Sequence, residues 1–130
     1  MAQFAHSDVL DNGVAYIKAN CNKVAVISSY SVGDSYATVT SRILAEATLT
    51  DADFTLSSSG NNRVLTTAAG KQDTSANATG GGATNHIAFL DTVNSKVLWV
   101  TQETSGQVIS SGNPVTFPSL TYTVQQPVAP

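Results

Sequence analysis

Thr84-Asn-His-Ile-Ala-Phe-Leu90 and Lys96-Val-Leu-Trp-Val-Thr101 are two short apolar runs separated by Asp91 to Ser95. A five-residue connection is common in β-hairpins, so the two runs are expected to pair antiparallel. Within them, Ile87-Ala-Phe-Leu90 and Val97-Leu-Trp-Val100 are apolar at every position. An antiparallel strand with one wet face alternates apolar and polar residues, so an unbroken run implies that both faces are covered. The cover is expected to be either a helix at the start of the chain or another protein subunit. If a subunit supplies it, Phe89 and above all Trp99 are the expected anchors, because aromatic side chains dominate interface energetics.

Outward from this hairpin the period of two continues. Lys23 to Tyr30, Arg42 to Thr50, Phe54 to Ser58 and Arg63 to Ala68 read as strands. Asp51 to Asp53 reads as a turn, and Gly60-Asn-Asn62 carries a strong hairpin-turn signal. Tyr36 to Ser41 fits either a strand or a helical turn. Asp73 to Thr79 is expected to be a solvent-facing strand, and Gly80-Gly-Gly82 a flexible turn. Gln107 to Ile109, Val115 to Phe117 and Leu120 to Val124 complete eight or nine strands with turn signals every 8 to 12 residues. Such spacing suits a mostly β chain folded as a single-domain β-sandwich or jelly roll, with its strands over residues 23–124.

One helix precedes the strands, over residues 8–20. Ser7 is its expected cap, Asp8 and Asp11 lie in the first turn and Lys18 near the end, all favourable to the helix dipole. Val9, Leu10, Val14, Tyr16 and Ile17 read as one apolar stripe, and Asn20 or Asn22 is expected to end the helix in a left-handed conformation. Gly13 in its middle costs about 1 kcal/mol against Ala, so docking must stabilise the helix. Residues 1–7 and 126–130 read as arms that order only on a partner.

The 130 residues suffice for one domain. Charged residues are only 12%, about half the usual share. Fifteen Ser and sixteen Thr take their place, and 35 Val, Ile and Thr together favour strands. The net charge of −3 and six scattered basic residues offer no stripe for nucleic acid or an anionic membrane. The longest apolar run is four residues, far below the roughly 20 that span a bilayer. The opening residues have neither a basic nor an apolar leader segment, so no secretion signal is expected.

Little in the sequence suggests catalysis. His86 sits in a strand with no GxSxG elbow elsewhere to supply a serine, and His6 has no ligand-spaced partner. Asp51 and Asp53 lack the further oxygens of a calcium loop, and Glu46 and Glu103 have no neighbouring acid in sequence. Gly80-Gly-Gly82 lacks the Lys-Ser/Thr of a phosphate loop. Asn77-Ala-Thr79 matches the glycosylation pattern by chance, and the lone Cys21 reads as a small buried hydrophobe. The expectation is a non-enzymatic chain with no cofactor and no metal.

Several segments together resemble a known class of proteins. They are Met1-Ala-Gln-Phe-Ala-His-Ser-Asp-Val-Leu-Asp11 with the helix after it, Thr84-Asn-His-Ile-Ala88, Asp91, and Ser95-Lys-Val-Leu-Trp-Val-Thr101. Gln107-Val-Ile-Ser-Ser-Gly-Asn-Pro-Val-Thr-Phe-Pro118 completes the set. The chain is similar in these segments to the head decoration, or cement, proteins of tailed bacteriophages. The resemblance covers roughly residues 1–30 and 84–118 and leaves the middle unmatched. It implies a β-sandwich bound in many copies to the outside of the capsid, often as a homodimer or homotrimer. The implied partners are the major capsid protein and the chain itself, assembled in the host cytoplasm. Phe4, His6 and Pro127 in the arms join Phe89 and Trp99 as expected interface residues. The competing expectation is a carbohydrate- or receptor-binding sandwich of a tail fibre, using Tyr30, Tyr36, Trp99 and Tyr122 as a stacking platform.

Overall fold

A computed structural model describes residues 5–103 and 106–127. Helix α1 runs over Ser7–Asn20, strand β1 over Lys23–Ile27, helix α2 over Tyr36–Ser41 and β2 over Ile43–Thr48. A 3-10 turn at Asp51–Asp53 leads into β3 (Phe54–Ser59) and β4 (Asn62–Thr67). Then come β5 (Lys71–Asp73), β6 (Gly80–Gly81), β7 (His86–Asp91), β8 (Lys96–Gln102), β9 (Val108–Ile109), β10 (Val115–Phe117) and β11 (Thr121–Val124). The chain is mostly β, as its β-branched composition predicts.

Two antiparallel sheets form the sandwich. The larger has the order β2-β1-β7-β8, the smaller β11-β4-β3, and two short ribbons (β10-β5 and β6-β9) flank them. An aromatic ladder joins the layers. Phe54 on β3 meets Phe89 on β7 edge-on at 6.3 Å, and Phe89 stacks on Trp99 of β8 at 4.4 Å. Trp99 in turn meets Tyr122 of β11 at 5.4 Å, edge to face. Val24, Val26, Ile87, Leu65 and Phe117 fill the space around the ladder, and α1 adds Val14 and Ile17.

The central hairpin is covered on both faces, by two different elements. The face carrying Phe89 packs on the smaller sheet and α1. The opposite face, with Ile27, Ala88 and Leu90, is sealed by Val39 of α2 together with Tyr30 and Tyr36. Tyr36–Ser41 is thus a helix: Ser35 accepts the Thr38 N–H at 3.2 Å and caps it. That second cover is neither the first helix nor a partner subunit, and the face is not simply exposed, the three outcomes the sequence left open.

Other expectations need correction. Lys71–Asp73, not Asp73 to Thr79, is the strand; Ala76 is buried, and the Asn77 and Ala78 N–H groups bond to the Leu44 carbonyl along the edge of β2. Gly80-Gly81 is a strand paired with β9 rather than a free turn. Neither Asn20 nor Asn22 is left-handed, since Ser95 is the only non-glycine with positive φ among the described residues. Instead the Asn20 amide donates to the Tyr16 carbonyl at 2.9 Å and closes the last turn. The chain ends are held closer than free arms would be: the Gln126 side chain bonds both the N–H and the C=O of Ala5, and the Asn61 carbonyl. The roles expected of the Ser7 and Asp8 side chains, and the outer residues of both arms including Phe4, lie outside the described residues.

Candidate functional site

Helix geometry divides the apolar positions of α1 into two stripes. At about 100° per residue, Leu10, Val14 and Ile17 cluster together, while Val9 and Tyr16 lie roughly 110° further round. The first stripe is buried and belongs to the core; the second is not, Val9 being 68% and Tyr16 41% exposed. Gly13 falls between them in sequence and beside Val9 and Tyr16 on the helix surface.

That second stripe forms one wall of an apolar trough of about 570 Å3. Leu98 of β8 and Tyr122 and Val124 of β11 form the other wall. Leu98 is available because the β7–β8 ladder slips: Phe89 faces Trp99 and Leu90 faces Val97, so Leu98 is an extra residue. A bulge of this kind sets two neighbouring side chains against one partner, and both Leu98 and Trp99 pack toward the main core. Tyr122 remains 40% exposed at the rim. A β-carbon placed on Gly13 would find no atom within 4 Å, so the glycine is not required by any contact inside the protein. Its missing side chain leaves open space in the trough.

Salt bridges fix the trough's frame. Asp11 takes Arg63 of β4 at 2.8 Å, locking α1 to the smaller sheet. Lys18 reaches Asp51 at 2.8 Å and the Phe54 carbonyl at 3.2 Å. Lys96 donates to the Tyr16 hydroxyl at 3.0 Å and lies 5.3 Å from its ring centre, fixing the exposed tyrosine from the β8 side.

The expected interface residues scatter. Phe89 is 2% exposed and belongs to the core, so it presents nothing to a partner. Trp99 is half-buried, with Phe89 on one face and the edge contact to Tyr122; it supports the trough wall from behind. His6 is exposed and accepts the Val9 and Leu10 N–H groups through its carbonyl. Pro127 is exposed just past the Gln126 clamp. Val9, Gly13, Tyr16, Leu98 and Val124 are the residues missed, and Tyr122 is expected from the sequence only as a ring of the stacking platform. Splitting the α1 apolar positions by angle, instead of pooling them, is the signal that finds the first three.

No catalytic constellation converges among the described residues. Burial pushes the Glu103 carboxyl above its usual range, against the opposing pull of the nearby His86 charge. Glu103 borders a second, smaller hollow of about 330 Å3 with Gln107, Ile109 and Pro114, but His86 is not part of its wall. The His86 Nδ1 is 2.7 Å from the Thr84 carbonyl oxygen. Asp91, at the other end of β7, accepts the Val93 and Asn94 N–H groups and the Asn94 amide, and this holds its carboxyl below the usual range. Glu46 and Glu103 stand at opposite edges of a four-stranded sheet, roughly 14 Å apart from strand spacing alone, too far for a glycosidase pair. Asp51 and Asp53 spend their carboxylates on Lys18 and Lys71. Among the described residues no three His, Cys, Asp or Glu side chains gather as a metal site, and no helix is long and apolar enough to cross a membrane.

Comparison with protein-family models, curated proteins and solved structures returns no match. The trough and the sequence resemblance are what bear on function.

Proposed function

We propose that this chain is a structural virion protein that binds the outer surface of a tailed-phage capsid and ties neighbouring major capsid subunits together. The sequence resemblance supplies the class of partner. The trough supplies a means of contact, and the observation that carries the reading is Gly13. A glycine in mid-helix costs about 1 kcal/mol against Ala, and here no internal contact calls for it. Its role is to let a side chain of a partner approach the helix backbone between Tyr16 and Tyr122. Apolar rims around an open slot, framed by fixed salt bridges, give the preorganised pocket into which a hot-spot residue inserts. Repetition over a shell multiplies a modest contact by avidity.

The carbohydrate-binding reading fits less well. Tyr30 and Tyr36 cover the second core cluster and Trp99 is stacked on Phe89, so three of its four platform rings are engaged internally.

The test uses capsids that lack the polypeptide, incubated with purified protein and sedimented. Wild type is expected to bind saturably. Gly13→Leu, which fills the slot without touching the core, is expected to lose at least roughly tenfold in affinity while melting no lower than wild type. Failure of wild type to bind, or undiminished binding by Gly13→Leu, contradicts the proposal.

A further inference from the structure

Glu103 follows the last residue of β8 and stands apart from the other carboxylates. Five of the described carboxylates are ion-paired, and Asp73 and Asp91 each accept two backbone N–H groups. The Glu103 carboxylate has neither kind of partner among the described residues, yet Glu103 is half-buried. Burial raises its carboxyl accordingly, and His86 pulls the other way without forming an ion pair to it among the described pairs. An acid withdrawn from water without a cation is a strain on the fold that a cation arriving from outside relieves.

The hollow that Glu103 borders has walls held by backbone bonds. The Asn85 carbonyl accepts the Glu103 N–H at 3.1 Å and the Asn85 amide donates to the Gln107 carbonyl at 2.7 Å, so one buried residue positions both. On the β9–β10 turn, the Ala76 N–H donates to the Asn113 carbonyl at 2.8 Å and the Gly112 N–H to the Ala76 carbonyl at 2.9 Å. Ile109 and Val115 line the hollow and pack against the main core, which gives it an apolar floor. Gln107, Ser110 and Asn113 are exposed around it, and their side chains make no hydrogen bond to the protein among the described residues. A site fixed in this way needs little rearrangement to accept a ligand.

These features select a basic side chain. At about 330 Å3 the hollow lies at the lower end of the roughly 300–1,000 Å3 of small-molecule sites, a size for one side chain rather than an extended ligand. An apolar floor beside a carboxylate matches an aliphatic stem with a charged head. Arginine fits better than lysine, because its planar fork of donors meets a carboxylate twice and still has N–H groups for the amide and hydroxyl oxygens around it. Among the described residues no aromatic ring lines the hollow, so a sugar finds nothing to stack on. We propose that this hollow receives an arginine side chain of the protein on which the chain docks, with the guanidinium on Glu103 and the methylenes over Ile109 and Val115. The inference rests on the proposed docking function. It adds a second contact, since no residue of the hollow belongs to the α1 trough.

Acetyl-arginine methylamide, titrated into the purified chain and followed by amide NMR, tests it. Saturable shifts are expected at Glu103, Gln107, Ser110 and Asn113, with a dissociation constant of about 10 mM or below. The citrulline analogue, which keeps the shape and loses the charge, is expected to bind at least roughly fivefold more weakly. Glu103→Gln is expected to abolish saturation by arginine while melting no lower than wild type, and to weaken capsid binding about tenfold. Absence of saturable shifts overturns the site, as do equal binding of citrulline and shifts that survive Glu103→Gln. Methyl glucoside moving the same amides more strongly than arginine overturns it as well. Capsid affinity that Gly13→Leu lowers and Glu103→Gln leaves unchanged removes this contact and leaves the proposed function standing. Arginine binding that depends on Glu103, on a protein that ignores capsids, does the reverse.

Discussion

Asn85 is fully buried between β6 and β7, and its side chain holds two loops at once. Its Oδ1 accepts the Gly82 N–H at 2.9 Å and its Nδ2 donates to the Gln107 carbonyl at 2.7 Å. Glycine makes the site: a β-carbon on Gly81 would fall on the Asn85 amide, and one on Gly106 would fall on the Gly82 carbonyl. Asn85→Ala removes the partner of the half-buried Gly82 N–H and of the Gln107 carbonyl, at a cost of about 1–3 kcal/mol in urea unfolding. A cost within experimental error would contradict that accounting. Cys21 gives a second check. It is 3% exposed, and burial pushes its thiol up to about 11. Native protein at pH 8 is expected to resist thiol reagents at least roughly a hundredfold better than protein in urea, because only the thiolate attacks. Cys21 was legible as a buried hydrophobe. Asn85 was not: it reads as an ordinary residue of the Thr84 to Leu90 strand until the close approach of distant glycines is known.

Strands were legible where side-chain period and turn chemistry agreed. Gly60 at φ +61 turns β3 into β4 as its sequence suggests, and Val115–Phe117 falls where the alternation places it. Failures occurred where tertiary pairing overrides propensity. Gly80-Gly81 is a poor strand by composition and is held only by β9, and the six-residue α2 is held by the cluster beneath Val39. That dependence is testable. Val39→Ala is expected to cost about 1–3 kcal/mol, through loss of buried methyls over Leu90 and Ala88. Ala37→Ser on the exposed side of the same helix is expected to change stability by less than about 0.5 kcal/mol. Equal effects would show that α2 is not the cover of that face. In α1, Gly13→Ala is expected to raise stability by about 0.5–1 kcal/mol, since a methyl meets nothing and the helix gains propensity. A loss of stability would mean that the open space serves the fold itself. Half of the trough was present in the sequence as the Val9, Gly13 and Tyr16 spacing. The other half required the bulge at Leu98 and the approach of β11, which no local pattern encodes.

For the whole molecule, Gln126 ties Ala5 to the β3–β4 hairpin, so Ala5 and Gln126 meet at one end of the smaller sheet. Acid sensitivity follows from three carboxylates. Asp34 is held below its usual range by the Ser31 N–H and Arg42, and Asp91 by Asn94 and Val93. At Asp53, burial acts upward but is outweighed by the Thr50 N–H and Lys71. A lowered folded pKa stabilises above the unfolded value and loses that stabilisation as pH falls through the folded one. Glu103 has the opposite sign, because burial raises its folded pKa and protonation relieves it. With three groups against one, the urea midpoint is expected to fall as pH drops from about 5 to about 2. A midpoint constant over that window would contradict the assignments. Quantitative mass spectrometry of separated phage heads and tails measures where the chain resides. The polypeptide is expected on heads, in copy number comparable to the major capsid protein. Its absence from heads, or its confinement to tails, would contradict it.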